Sequence, residues 1–146
     1  MSDGKIKILF LCTGNSCRSQ MAEGFTKHYF SHLFDIYSAG TKPQEINKYA
    51  IKVMKEAGID ISKQYSKNVN DLIDKDFDYV ITLCGDAKEN CPVFPKKSKI
   101  YHKGFRDPAK AKGSEEEVLK IYREVRDEIK NFILSLPDFL NLKNKK

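Results

Sequence analysis

No stretch of this 146-residue chain approaches the roughly 20 apolar residues that a membrane-spanning helix needs, and no secretion signal precedes its first strand. The expectation is a cytoplasmic protein without a membrane partner. The sequence also lacks an internal repeat and a linker, so it reads as one domain over residues 1–140, followed by a basic tail at 141–146. No Gly-Lys-Ser/Thr follows its first loop, so nucleotide binding of the Walker kind is not implied. The cysteines lack zinc-knuckle spacing: four residues separate Cys12 from Cys17, and six separate Cys84 from Cys91. His28 and His32 are four apart without a third ligand nearby, so no metal is expected. Net charge is +6 and the pI about 9.0, a balance that would otherwise raise nucleic acid as a partner. Much of the excess, however, sits in Lys96, Lys97, Lys99, Lys143, Lys145 and Lys146, with no interleaved aromatics. That pattern is a solvated surface whose field favours small anions.

What is present begins with Lys5 to Leu11 (KIKILFL), a short apolar run suited to a strand buried on both faces of a parallel sheet. From Ser19 onward, Met21, Ala22, Phe25 and Tyr29 recur at helical spacing. The residues between, Cys12-Thr13-Gly14-Asn15-Ser16-Cys17-Arg18-Ser19, therefore form a strand-to-helix turn. Such a turn aims backbone N–H groups at one spot beside the positive end of a helix dipole, which makes an anion cradle. Arg18 adds a planar fork for two oxygens. The same donors, with the Ser19 hydroxyl, stabilise a thiolate at Cys12, and a thiolate facing a bound tetrahedral oxyanion is a nucleophile in position. Cys17 is not needed for that chemistry and reads as a packing residue whose backbone joins the cradle.

Further along, Phe34 to Ala39 is a second strand. Ile46, Tyr49, Ala50, Val53, Met54 and Ala57 mark an amphipathic helix capped by Gly58. Asp71 to Phe77 is polar and without a clear period. Tyr79 to Leu83 (YVITL) is a third strand that delivers Cys84, and Ile100 to His102 a fourth that leads to Asp107. Ser114 and Glu117 form a capping box for a last helix with the stripe Val118, Ile121, Tyr122, Val125, Ile129, Phe132, Ile133 and Leu136, ended by Pro137. Alternating strands and helices predict an α/β fold: three layers, with a four-stranded parallel sheet flanked by helices and the site at the strands' C-terminal ends. Cys12, Cys84 and Asp107 each follow a strand. Pro108 restricts Asp107 to extended backbone; a carboxyl there is either a turn former or an acid able to protonate a departing oxygen.

Cys-x5-Arg-Ser between a strand and a helix, and CTGNSCRSQMAEG over all thirteen residues, resembles the active-site loop of the low-molecular-weight protein tyrosine phosphatases. The stretch TLCGDAKENCPVFP, with GFRDPA downstream, is similar to the thioredoxin-coupled arsenate reductases built on that fold, over nearly the entire chain. This resemblance implies that Cys12 attacks arsenate while Thr13, Gly14, Asn15, Ser16, Cys17, Arg18 and Ser19 hold the oxyanion, with phosphate and sulfate as analogues, and that Asp107 is the acid. It further implies a relay in which Cys84 attacks Cys12, Cys91 attacks Cys84, and thioredoxin reduces the resulting disulfide. No cofactor and a monomer are expected. From the residues alone, Cys84 and Cys91 are also compatible with buried small apolar groups, and two other functions stay open: a tyrosine phosphatase and a non-catalytic oxyanion or redox-sensing module. Some members of the resembled family hold potassium through an Asn, a Glu, a Ser and an Asp. Here Asn15, Glu23 and Ser38 match, but Lys67 stands at the Asp position, which predicts no potassium requirement.

Overall fold

A computed structural model describes residues 5–83 and 98–142. Four strands, β1 (Ile6–Cys12), β2 (Phe34–Gly40), β3 (Tyr79–Thr82) and β4 (Lys99–His102), pair in parallel in the order β2-β1-β3-β4. Among the described residues, four α-helices accompany them: α1 (Arg18–Phe30), α2 (Lys48–Glu56), α3 (Glu115–Leu134) and α4 (Leu136–Phe139). The crossover from β1 runs to β2 on one side, and the next passes back to β3 on the other. The direction reverses at β1, and in open parallel sheets the cleft at such a reversal is where ligands bind.

β1 is buried on both faces, as its near-continuous apolar run predicts. Ile8 and Phe10 belong to a large cluster that joins Met21, Ala22 and Phe25 of α1, Val53 and Met54 of α2, and Tyr122, Val125 and Ile129 of α3. Leu9 and Leu11 point the other way, to a smaller cluster with Ala39, Val80, Leu72 and Phe77. The ambiguous stretch around 71–77 thus covers the second face: a single 3-10 turn, Val69–Asp71, precedes the buried Leu72 and Phe77.

The cap signals operate as expected. Ser114 Oγ accepts from Glu117 N–H at 3.2 Å while Glu117 Oε1 accepts from Ser114 N–H at 2.9 Å. At the end of α2, Gly58 takes φ +86° and its N–H donates to Lys55 O, with Ile59 N–H donating to Met54 O. Three details differ from the periodicity. Ala57 is exposed because it lies beyond the last turn of α2. Leu119, outside the expected stripe of α3, is buried, whereas Val118 and Ile121 are only partly so. Pro137 does more than end α3: it occupies the first turn of α4, where its missing N–H is no loss, and buried Leu136 anchors the new turn.

Candidate active site

Strand pairing delivers the site residues. Cys12 ends β1 opposite Gly40 of β2, and a Cβ at Gly40 would lie 2.4 Å from Thr13 O and 2.9 Å from Cys12 O and from Asn15 N. Only glycine permits this approach, so β2 presses directly on the loop. The segment that follows binds the outside of the loop: Lys42, Gln44 and Asn47 N–H groups donate to Thr13, Gly14 and Ser16 carbonyls, each at 2.9 Å. Three loop carbonyls are thereby held outward, which suits an inward array of amides. Asn15 adopts φ +49°, a left-handed conformation that Asn tolerates.

Cys12 is 2% exposed and its sulfur lies 2.9 Å from Ser19 Oγ. Asn15 Oδ1 accepts from Lys67 N–H at 2.8 Å, so the Asn15 amide nitrogen faces inward and donates to Ser19 Oγ (2.8 Å) and Ser38 Oγ (2.9 Å). The Asn15 N–H takes one Ser19 lone pair and leaves the Ser19 proton available to a thiolate at Cys12. Ser38 in turn donates to Glu23 Oε1. Glu23 is buried and also meets Lys27 Nζ at 2.5 Å through Oε2 and Lys67 Nζ at 3.8 Å through Oε1. Burial lowers the Lys67 pKa, and Glu23 opposes that shift.

Arg18 is 4% exposed. Its Nη1 donates to Phe105 O at 3.0 Å and its Nη2 lies 3.8 Å from Asp107 Oδ2, so the anion-loop arginine also tethers the acid loop. That loop continues the sheet hydrogen bonds, with Lys103 and Phe105 N–H donating to Thr82 and Leu83 carbonyls. Phe105 packs on Phe132 of α3, and Arg106 reaches Glu124 at 2.6 Å. Asp107 has the extended backbone that Pro108 imposes, and its Oδ1 accepts from Ala109 N–H at 3.0 Å. Its side chain keeps 23% exposure, enough for proton exchange with solvent.

Cys17 is buried behind the loop, and burial pushes its thiol well up, with the Cys12 and Asp107 charges adding and Arg18 opposing. Of the three strand-end residues expected to converge, Cys12 and Asp107 are linked through Arg18, which lies on the Cys12 loop and reaches Asp107 Oδ2 at 3.8 Å. Tyr122, beside Cys17, is pushed up to about 12, chiefly by burial, and accepts from Asn47 Nδ2 at 3.0 Å. Cys84 and Cys91 lie outside the described residues. Leu83, which precedes Cys84 in sequence, donates its N–H to the carbonyl of Leu11, which precedes Cys12, at 2.8 Å. His28 and His32 are exposed, His32 lying beyond α1, and no group of metal-ligating side chains occurs among the described residues. His102 Nδ1 pairs with Thr82 Oγ1 at 2.8 Å.

Three contributors carry no sequence signal. Gln20 Nε2 donates to Asn15 O at 2.9 Å, Ser66 Oγ donates to the same carbonyl at 2.8 Å, and Gln64 Nε2 donates to Gln20 Oε1 at 2.7 Å. Each is an ordinary polar residue until the fold turns it toward the loop. Gln20 is wholly buried on the first turn of α1, where a surface helix would put a solvated side chain.

A buried strand-end cysteine, a loop opening a helix with its carbonyls held outward and an Asp-Pro loop on a four-stranded parallel sheet define a phosphatase-type site. The chain belongs to the low molecular weight phosphotyrosine protein phosphatase family, which it matches over residues 7–146. Within that family it is similar to an arsenate reductase of Shouchella clausii, 53% identical over 122 residues that cover 84% of this chain and 88% of the relative. A solved arsenate reductase in its phosphate-binding state superposes with TM-score 0.75 at 34% identity, covering 90% of this chain and 95% of the other. A thioredoxin-dependent arsenate reductase of Corynebacterium glutamicum superposes with TM-score 0.73 at 25% identity, covering 99% of this chain and 66% of that one.

Proposed function

We propose that this protein reduces arsenate to arsenite through a Cys12, Cys84, Cys91 relay recycled by thioredoxin. The observation that carries the reading is the buried Cys12 sulfur, 2.9 Å from the Ser19 hydroxyl, on a loop whose Arg18 also reaches the carboxyl of Asp107. The arsenate reductases among its relatives support the choice of substrate, and the thioredoxin-dependent one supports the choice of electron donor.

Cys12 thiolate attacks arsenic(V), and Asp107 gives a proton to the departing oxygen, so water leaves and a Cys12–arsenic bond remains. Loop amides and Arg18 hold the three other oxygens, supplying position and charge compensation at once. Cys84 thiolate then attacks the Cys12 sulfur. Sulfur–sulfur bond formation leaves two electrons on arsenic, which departs as arsenite. Cys91 attacks Cys84 and frees Cys12, and a dithiol donor reduces the Cys84–Cys91 disulfide. The pairing of Leu83 with Leu11 supports Cys84 as first resolver, because it sets the residues before the two cysteines side by side.

Phosphate ester hydrolysis is the second reading, favoured by the family itself, since loop and acid serve both reactions. The 3-10 turn after the acid, Pro108–Lys110, carries no aromatic to line a phosphotyrosine cleft. NADPH consumption with thioredoxin and its reductase, measured on arsenate beside aryl phosphate hydrolysis, separates the two. Arsenate-dependent consumption that vanishes in Cys84→Ser is expected. Arsenate turnover untouched by that substitution refutes the relay, and rapid aryl phosphate hydrolysis without arsenate-dependent consumption assigns a phosphatase.

A further inference from the structure

The side chains that correspond to the potassium site of the resembled family do not fit that ion here. A hard cation needs oxygen ligands. Asn15 presents its NH2 group to this spot, because its side-chain oxygen is taken by the Lys67 N–H. Ser38 points its proton at Glu23, and the fourth position carries an ammonium, Lys67 Nζ, at 3.8 Å from Glu23 Oε1. Lys67 is held there at two further points: Nζ donates to Tyr65 O at 2.7 Å and lies 4.4 Å from the centre of the Tyr65 ring. Its side chain is only 15% exposed. An ammonium is a compact point charge with three donors, which suits it to replace a monovalent metal against one carboxylate.

We propose that the Lys67 ammonium is the resident cation of this network and acts as a positioning residue for Cys12. The proposal rests on Cys12 as the nucleophile of the function assigned above. Glu23 Oε1 is the oxygen that accepts from Ser38, so Lys67 acts on the atom that fixes the direction of the chain. With Glu23 ionised, Ser38 donates to it and offers a lone pair to Asn15. Asn15 then gives its second N–H to Ser19, and Ser19 gives its proton to the sulfur. Hydrogen bonds in such a chain polarise one another, and the charge at one end is felt at the other. Lys27 contacts the opposite oxygen, Oε2, from an exposed position and does not duplicate this role. Where relatives would recruit an ion from solution, this chain carries its cation covalently.

The test is the rate at which iodoacetamide alkylates Cys12 in the reduced full chain, read by peptide mass spectrometry in potassium, sodium or choline chloride at equal ionic strength. This readout follows Cys12 whether or not the chain turns over arsenate, so failure here and failure of the functional reading are distinguishable. The wild type is expected to react alike in the three salts. Lys67→Ala should react about tenfold more slowly in choline, the scale of one hydrogen bond, and recover when ammonium is added. Lys67→Arg should keep most of the rate without added cation. A wild-type rate, or melting temperature, that rises with potassium over sodium and choline overturns the proposal, and needs no variant. So does a Lys67→Ala chain that reacts like the wild type in choline, or one that is slow and that ammonium does not rescue.

Discussion

The loop 12–19 and the acid loop around Asp107 meet at Arg18, yet they are held in different ways. The first is enclosed: its carbonyls are bound from outside by the segment 42–47, its Asn15 by Lys67, Gln20 and Ser66, and its back by Gly40. The second has Phe105 in the core, but Asp107 depends on Arg18, Ala109 N–H and an ion pair from Arg106 to α3 that is half exposed. Geometry at the Cys12 sulfur is thus determined by many bonds at once, and geometry at the Asp107 carboxyl by a few. That division matches the chemistry proposed for Cys12 and Asp107. An attacking sulfur needs a fixed direction, whereas a proton donor must also exchange with solvent.

The sharpest break in the comparison is chemical. Asp107→Asn keeps the acceptor for Ala109 N–H but removes the proton, so arsenate turnover should fall by about 10²- to 10⁴-fold while the melting temperature stays within the range of a surface change. An equal loss of stability would show that the carboxyl is structural. Gly40→Ala attacks the enclosed loop instead: the new Cβ collides with Thr13 O, and stability should drop by about 1–3 kcal/mol along with phosphate protection of Cys12 from alkylation. Arg106→Ala should cost roughly 0–1 kcal/mol in stability, as half-exposed pairs do, with turnover reduced far less than in Asp107→Asn. The smallest effect lies in the capping box, remote from both loops. Hydrogen bonds from Ser114 hold Glu117 below its ordinary pKa, so its contribution is present above the unfolded carboxylate range and is lost as pH falls through the folded value. Glu117→Gln should therefore lower the melting temperature slightly at pH 7, with the gap closing in acid and turnover unchanged.

Local pattern made much of this legible. β1, the loop and α1 are written in one apolar run, a glycine and a helical period, and Ser114 with Glu117 marks the start of α3 by itself. Arg18 was legible as an anion ligand but not as the tether of Phe105, because that bond spans 87 residues and ends on a carbonyl, which every residue has. The roles of Gln20, Gln64 and Ser66 were hidden for the same reason. Periodicity missed Leu119 and overcounted Ala57, since a stripe on a helix says which residues share a face but not where a neighbouring element stops covering it. Pro137 signalled a break correctly; that the chain starts a new turn there depends on Leu136 finding the core.

One measurement reaches the centre of the account. Fully reduced protein is mixed with a small excess of arsenate without thioredoxin, quenched by alkylation, and examined for arsenite and for disulfide connectivity. One arsenite per chain is predicted, with a Cys84–Cys91 disulfide and with Cys12 and Cys17 recovered as free thiols. Arsenite released while all four cysteines remain reduced, or a disulfide that excludes Cys84, would contradict it.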